Sequence, residues 1–288
     1  MKSAPERPPW LRIKAARGRD FERTAAILDD LGLATVCLES GCPNRWECWS
    51  RGEATFLIMG SRCTRACRYC RVVAGPPEEL APEEPARIGR AVAELGLGHV
   101  VITSVTRDDL PDGGAAAFAA ITIRIREAAP NCRIELLVPD FQGENAALDT
   151  VIGSGADIIG HNVETVPRLF HEARPEADYE RSLSVLRRLS GAGVAAKTGL
   201  LVGLGESRAE VRRVLRDIHD AGVDSVTVGQ YLAPSPDHLP VARYWHPDEF
   251  IGLAVHARRL GFHKVLSGPL VRSSYRAGAH SGHVRAGG

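Results

Sequence analysis

From residue 54 onward, short β-branched apolar runs alternate with stretches whose apolar residues recur at helical spacing, and this alternation narrows the fold more than any other feature. The strand-like runs fall at residues 56–59, 100–105, 134–138, 157–160, 195–202, 225–228 and 264–266. Helical spacing links Ile88, Val92 and Leu95; Leu183, Leu186 and Leu189; Val211, Val214, Leu215 and Ile218; and Phe250, Leu253, Ala254 and Ala257. Strands that alternate with helices build βαβ units and a parallel sheet. Six to seven such units predict an α/β fold, a partial (β/α) barrel over residues 54–268. Residues 1–53 and 269–288 stand outside the alternation and are expected to form N-terminal and C-terminal extensions. A chain of 288 residues is expected to hold one main domain of this kind.

In barrels, chemistry collects on the loops that follow the strands. Those loops here carry Cys63 to Cys70, Thr106 to Asp108, Pro139 and Asp140, His161 to Glu164, Gly203 to Glu206, Gln230 and Tyr231, and Arg272 to Tyr275. Nearly all are polar or ligand-like, which a purely structural barrel would not require. Charge excludes other classes. Lys+Arg number 36 against 35 Asp+Glu, a net charge of +1, so the basic excess of a nucleic-acid binder is missing. The start, MKSAPERPPWLRIK, has no apolar stretch behind its charges, and no run approaches bilayer length. A cytoplasmic protein without membrane or nucleic-acid partners is expected.

Six of the seven cysteines fall within 34 residues. Without an export signal, such clustering reads as metal ligation rather than disulfides. Cys63, Cys67 and Cys70, in the run CTRACRYC, have the spacing C-x3-C-x2-C directly after the first strand. Three thiolates in one loop suit an iron–sulfur cluster with one iron left open to a small molecule; a zinc knuckle more often pairs two distant C-x2-C units. Cys37, Cys42 and Cys48, in CLESGCPNRWEC, give C-x4-C-x5-C and point to a second cluster. Cys132 stands alone before residues 134–138, either as a fourth ligand or as a buried thiol.

The C-x3-C-x2-C spacing with an aromatic before its last cysteine, Tyr69, resembles the radical SAM superfamily signature. Both triplets in this order, followed by Arg272, Ser273, Ser274 and Tyr275, are similar to the lipoyl synthase family. Further segments agree: TSVTRDDLPDGG (103–114), PDF (139–141), HNVETV (161–166), KTGLLVGLGE (197–206) and QYLAPSPDHLP (230–240). Arg71 and Thr106 depart from the pattern, and neither is expected to touch a ligand. The resemblance implies a sulfurtransferase with two four-iron–four-sulfur (4Fe-4S) clusters and S-adenosylmethionine. Cys63, Cys67 and Cys70 would hold the cluster that binds S-adenosylmethionine. Cys37, Cys42 and Cys48 would hold an auxiliary cluster in the extensions, with Ser274 as its unusual fourth ligand and Arg272 guarding it. The implied reaction inserts two sulfur atoms, drawn from the auxiliary cluster, at carbons 6 and 8 of a protein-bound octanoyl group. Implied partners are octanoylated lipoyl-domain proteins (E2 subunits, the glycine cleavage H protein), a reductant such as ferredoxin or flavodoxin, and a cluster carrier.

Contacts to S-adenosylmethionine are less sharply marked. Besides Tyr69, Asn162 and Glu164 would bind ribose hydroxyls or else cap a helix. Asp112, Gly113 and Gly114 would hold the methionine amine or form a plain turn. Gly203, Gly205 and Glu206 would let backbone approach the cofactor, or form a glycine-rich strand-to-helix turn. His280 and His283 have ligand chemistry but read as a solvated tail. The segment 37–52 is expected to fold over the barrel mouth as a lid. The rival readings are another two-cluster sulfur inserter, of the methylthiotransferase or biotin-synthase kind, and a cluster carrier without catalysis.

Overall fold

The computed structural model describes residues 6–13 and 18–278; His280 and His283 lie outside the described residues. After a short 3-10 turn at Pro9–Leu11 come α1 (Arg19–Asp30), α2 (Val36–Glu39) and α3 (Arg45–Trp49). Then β1 (Thr55–Ile58) opens the barrel, followed by a small pair, β2 (Arg62–Cys63) and β3 (Val73–Ala74). The alternation continues with α4 (Glu84–Leu95), β4 (His99–Ser104), α5 (Ala115–Ala128), β5 (Arg133–Leu137), α6 (Asn145–Ile152), β6 (Ile158–Gly160), α7 (Pro167–Ala173) and α8 (Tyr179–Gly191). It ends with β7 (Ala195–Val202), α9 (Arg208–Asp220), β8 (Ser225–Gln230), α10 (Pro247–Leu260) and β9 (Lys264–Gly268).

Seven strands form one parallel sheet in the order β1-β4-β5-β6-β7-β8-β9. Neighbours in space are neighbours in sequence, as right-handed βα crossovers produce. The ends β1 and β9 are edges, so the sheet is a partial barrel, as the alternation predicts. The helical stripes do what their spacing requires. In α9, Val211, Val214, Leu215 and Ile218 are all buried. Ser207 accepts from the Glu210 backbone while the Glu210 side chain accepts from Ser207, a reciprocal cap that fixes where this helix begins.

The first fifty residues share the barrel's core rather than sitting apart. Phe21, Leu28, Leu33, Cys37 and Trp49 belong to the same buried cluster as Phe56 and Ile102. Thr35 bridges antiparallel to Phe56, and the Leu57 N–H donates to the Ala34 carbonyl at 3.0 Å. The segment carrying Cys37, Cys42 and Cys48 is thus anchored along the β1 edge. Inside the barrel floor, Glu135 accepts from Lys197 Nζ at 2.6 Å and lies 3.2 Å from His99 Nε2. Pairing of this kind is what lets charged side chains stay buried.

Candidate active site

The loop from Cys63 to Cys70 runs between β2 and β3, which pair in parallel, and Gly75 N–H closes it onto the Cys63 carbonyl at 3.0 Å. Arg65, 4% exposed, clamps the loop to two strand ends. Its guanidinium donates to Asp108 at 2.6 and 2.8 Å and to Asp140 at 2.7 Å. Arg181 Nε holds the other Asp140 oxygen at 2.7 Å. Two backbone amides then reach the Cys63 Sγ, Thr106 N at 3.2 Å and Arg65 N at 3.5 Å. The expectation that Thr106 touches no ligand is corrected here, because its contact runs through the backbone, where side-chain identity gives no sign. On the opposite flank, Arg68 N–H donates to Ala173, Leu239 N–H to Arg68, and His238 Nε2 lies 3.0 Å from the Cys70 carbonyl.

All six clustered cysteines, Tyr69, Asn162, Glu164, Arg174, Arg272, Ser273 and Ser274 line one cavity of about 1060 Å³. Residues from 37–48 and from 271–278 line it together. Asn44 Nδ2 donates to the Leu270 carbonyl at 2.7 Å, joining the two extensions. Small residues make the room, with Gly199, Thr227 and Gly229 facing the cavity from β7 and β8. Glu164 turns through φ 70, uncommon for glutamate, while its backbone bonds to Gly199 and Leu201. Asn162 Nδ2 donates to Glu164 at 3.0 Å and to Ser273 Oγ at 2.7 Å. Asn162 Oδ1 and Arg174 Nε are buried without a hydrogen-bond partner, which suits a polar molecule arriving from outside the chain.

Electrostatics favour a cationic guest among the thiols. Burial pushes Cys37 to about 11, with Cys42 adding to it. Burial also raises Cys70 to about 12, against a backbone hydrogen bond near Val72. Cys48 and Cys67 are raised as well, again first by burial. Every cysteine is free of disulfides. Thiols held buried and mutually repelling as thiolates are stabilised when metal ions supply positive charge. Among the described residues, no three His, Cys, Asp or Glu side chains converge on a single-ion site; the thiols face the cavity in two groups of three. Burial lowers the Arg272 pKa, opposed by the nearby Cys42 and Glu164, so its guanidinium lies between that thiol and that carboxyl.

Several expected cofactor contacts lie elsewhere. Asp112 accepts from Gly114 and Ala116 at 2.9 and 2.8 Å and so caps α5. A Cβ on Gly114 would stand 2.3 Å from Met59 Sδ, so this glycine serves close packing at φ 88. Gly113 packs likewise against Phe141. The Glu206 carboxylate accepts from Gly203 and Leu204 at 2.6 and 2.9 Å, closing its own turn, and Gly205 belongs to that turn. None of these six lines the cavity, and each shows the turn or cap geometry that was the alternative. Cys132, 2% exposed, precedes β5 at the strand's N-terminal end, opposite the loop that carries Cys63, Cys67 and Cys70. It is a buried thiol that does not line the cavity. Sequence reasoning missed Arg65, whose carboxylate partners lie 43 and 75 residues away, and Arg174, whose bond goes to the Asn162 backbone carbonyl, where side-chain identity gives no sign. It also missed Arg71's position: a Cβ on Gly41, beside Cys42, would meet its Nη1 at 2.6 Å.

The sequence model of the Radical SAM superfamily matches residues 57–218. The lipoyl synthase of Nitratidesulfovibrio vulgaris strain DP4 is 53% identical over 94% of this chain and 91% of its own length. That of Mycolicibacterium smegmatis is 48% identical over 94% and 87%, and that of Rubrobacter xylanophilus 48% over 98% and 88%. Among solved structures, methylornithine synthase superposes with a TM-score of 0.56 at 15% identity, covering 90% of this chain and 81% of that one. SuiB of Streptococcus suis bound to S-adenosylmethionine gives 0.59 at 10% identity, over 77% and 54%. These structures share the fold alone, whereas the sequence relatives agree along nearly the full chain. The protein belongs to the lipoyl synthase family of the radical SAM superfamily.

Proposed function

We propose that this protein inserts two sulfur atoms at carbons 6 and 8 of an octanoyl group carried on a lipoyl-domain protein, with one cluster at each cysteine triplet. The observation that carries this reading is the single cavity shared by both triplets and Ser274. Carbons 6 and 8 are unactivated, so no protein acid or base can ionise them. The bound groups supply the missing chemistry, a carbon radical from S-adenosylmethionine at one triplet and sulfide at the other.

The chain's own residues bind, orient and shield. Cys63, Cys67 and Cys70 hold the first cluster, and Tyr69 closes the side next to Glu164. Asn162 Oδ1 and the Glu164 carboxylate face the cavity as acceptors for ribose hydroxyls. Burial raises the Glu164 carboxyl above the usual carboxylate range, with Arg174 and the Asn162 amide opposing that in part. Cys37, Cys42, Cys48 and Ser274 hold the auxiliary cluster. Iron prefers soft thiolates, so a serine oxygen is the ligand best suited to leave when sulfur is given up. Arg272, reaching from Cys42 to Glu164, separates the two cluster sites.

E2 subunits and the glycine cleavage H protein are the octanoylated carriers in this reading, with ferredoxin or flavodoxin as reductant and a cluster carrier restoring the consumed site. The reaction takes place in the cytoplasm. Among the described residues, no helix is long and apolar enough to cross a membrane. The test compares reduced wild type with Ser274→Ala and Ser273→Ala on an octanoylated lipoyl domain. Ser274→Ala is expected to release 5′-deoxyadenosine but little lipoyl product. Ser273→Ala frees Asn162 and is expected to weaken S-adenosylmethionine binding while sparing the auxiliary cluster. Wild-type product formation by Ser274→Ala would refute its assignment as a ligand.

A further inference from the structure

The segment that carries Ser274 is fastened at both ends to the short stretch between Cys42 and Cys48. Upstream, Asn44 Nδ2 donates to the Leu270 carbonyl at 2.7 Å, and Asn44 is 5% exposed. Downstream, Glu47 receives three donors from this segment. Tyr275 Oη–H donates to its Oε2 at 3.0 Å, and Arg276 Nε and Nη2 donate to its Oε1 at 3.2 and 2.7 Å. Arg276 adopts φ 50, a left-handed conformation that an arginine keeps only where surrounding contacts hold it. Residues 228 apart in sequence are therefore joined by a forked, charge-assisted contact. A merely structural tail would not need two separate fastenings on one five-residue helix and its preceding turn.

A ligand that leaves iron and returns must not lose its place when the bond breaks. We propose that Glu47, aided by Asn44, is the positioning residue of the fourth-ligand segment: it presents Ser274 to the auxiliary triplet and keeps the segment docked while the serine oxygen is off the iron. This rests on the reading of Ser274 as a ligand. It also gives Tyr275, the last residue of the RSSY run, a function: its phenol closes the clasp. Arg51, just beyond α3, donates from Nη1 to Glu47 Oε1 at 3.1 Å and pairs with Glu53, so its partners among the described residues lie in its own segment.

The experiment uses the full chain carrying Ala at Cys63, Cys67 and Cys70, so that only the auxiliary cluster is read. Loss of one iron to a chelator is timed, and electron paramagnetic resonance after mild oxidation reports the three-iron signal. Glu47→Ala, and Tyr275→Phe combined with Arg276→Ala, are expected to lose that iron about 10-fold faster or more, the usual scale for removing a ligand's supporting partner. Ser274→Ala loses it at least as fast, and adding Glu47→Ala to Ser274→Ala accelerates nothing further. Glu47→Gln, which still accepts from Tyr275, recovers part of the retention, and Arg51→Ala retains all of it. Wild-type retention in Glu47→Ala beside fast loss in Ser274→Ala would overturn the clasp and leave the serine ligand standing. Wild-type retention in both would overturn the ligand assignment itself. Additive losses in the double variant would mark Glu47 as a general support of the fold, and would also overturn the proposal.

Discussion

The backbone N–H of Thr106 points at the Cys63 Sγ across 3.2 Å, and that bond depends on a buried arginine. Arg65 ties the cysteine loop to Asp108 and Asp140 with side-chain exposures of 3, 24 and 0%. Burial pushes the Asp140 carboxyl up, but the bonds and charge of Arg65 outweigh it and hold Asp140 below the usual carboxylate range. Arg65→Met leaves Asp140 buried with only Arg181 and the Gln142 amide, at an expected cost of about 3–5 kcal/mol in denaturant unfolding. Arg65→Lys recovers little, since an ammonium cannot span both carboxylates.

His161 makes stability depend on pH. Its Nδ1 lies 3.0 Å from the Val138 carbonyl and its Nε2 3.1 Å from Ser182 Oγ. Burial, then the charge of Arg174, lowers its pKa from 6.5 to about 4. A depressed histidine stays neutral when folded, while the unfolded chain takes up a proton below 6.5. Stability is therefore complete above pH 6.5 and falls as pH drops toward 4, by on the order of 3 kcal/mol. Unfolding of the metal-free protein across this window measures it. In His161→Gln this contribution to the slope is expected to vanish.

Most of the fold could be read from the sequence, because each strand and helix carries its own periodicity. All seven predicted runs are strands of one sheet, within a residue or two at each end. The pair β2 and β3 was not predicted, since two-residue strands have no period to detect. Helices α2 and α3 are likewise too short for a stripe; α2 is placed against β1, and α3 against α1 through Phe21, Trp46 and Trp49. The cavity was half legible. Cysteine spacing marked both triplets and the RSSY run marked Ser274, but Arg65 and Glu47 act through partners 43 to 229 residues away, and Arg174 bonds to the backbone carbonyl of Asn162, which no side-chain pattern reveals. Gly203 and Gly114 misled for the converse reason, because a glycine needed for packing looks in sequence like one that admits a ligand.

Two groups of thiols imply two separable clusters. The reconstituted wild type is expected to bind about eight irons, four per cluster. Replacing Cys63, Cys67 and Cys70 together should halve the iron and abolish 5′-deoxyadenosine, while the auxiliary cluster's absorption persists. Four irons in a fully loaded wild type would contradict the two-cluster cavity.

Gly229 tests how tightly the C-terminal segment is seated. A Cβ at this position would stand 2.0 Å from the Val271 carbonyl oxygen and 3.2 Å from Arg272 Nη1. Gly229→Ala must push the segment away from β8, with an overpacking cost of about 1–3 kcal/mol. Thermal unfolding should show that modest loss. Lipoyl formation should fall far more than S-adenosylmethionine cleavage, since Ser274 moves and the triplet of Cys63, Cys67 and Cys70 does not.

The most direct test follows the product itself. Reduced, reconstituted protein is incubated with S-adenosylmethionine and either an octanoylated lipoyl domain or free octanoic acid, and mass spectrometry follows sulfur insertion alongside 5′-deoxyadenosine. The account predicts a lipoyl group on the carrier, two 5′-deoxyadenosines for each one formed, and little turnover of the free acid. Steady release of 5′-deoxyadenosine with no sulfur in the octanoyl chain, or equal turnover of the free acid, would contradict it.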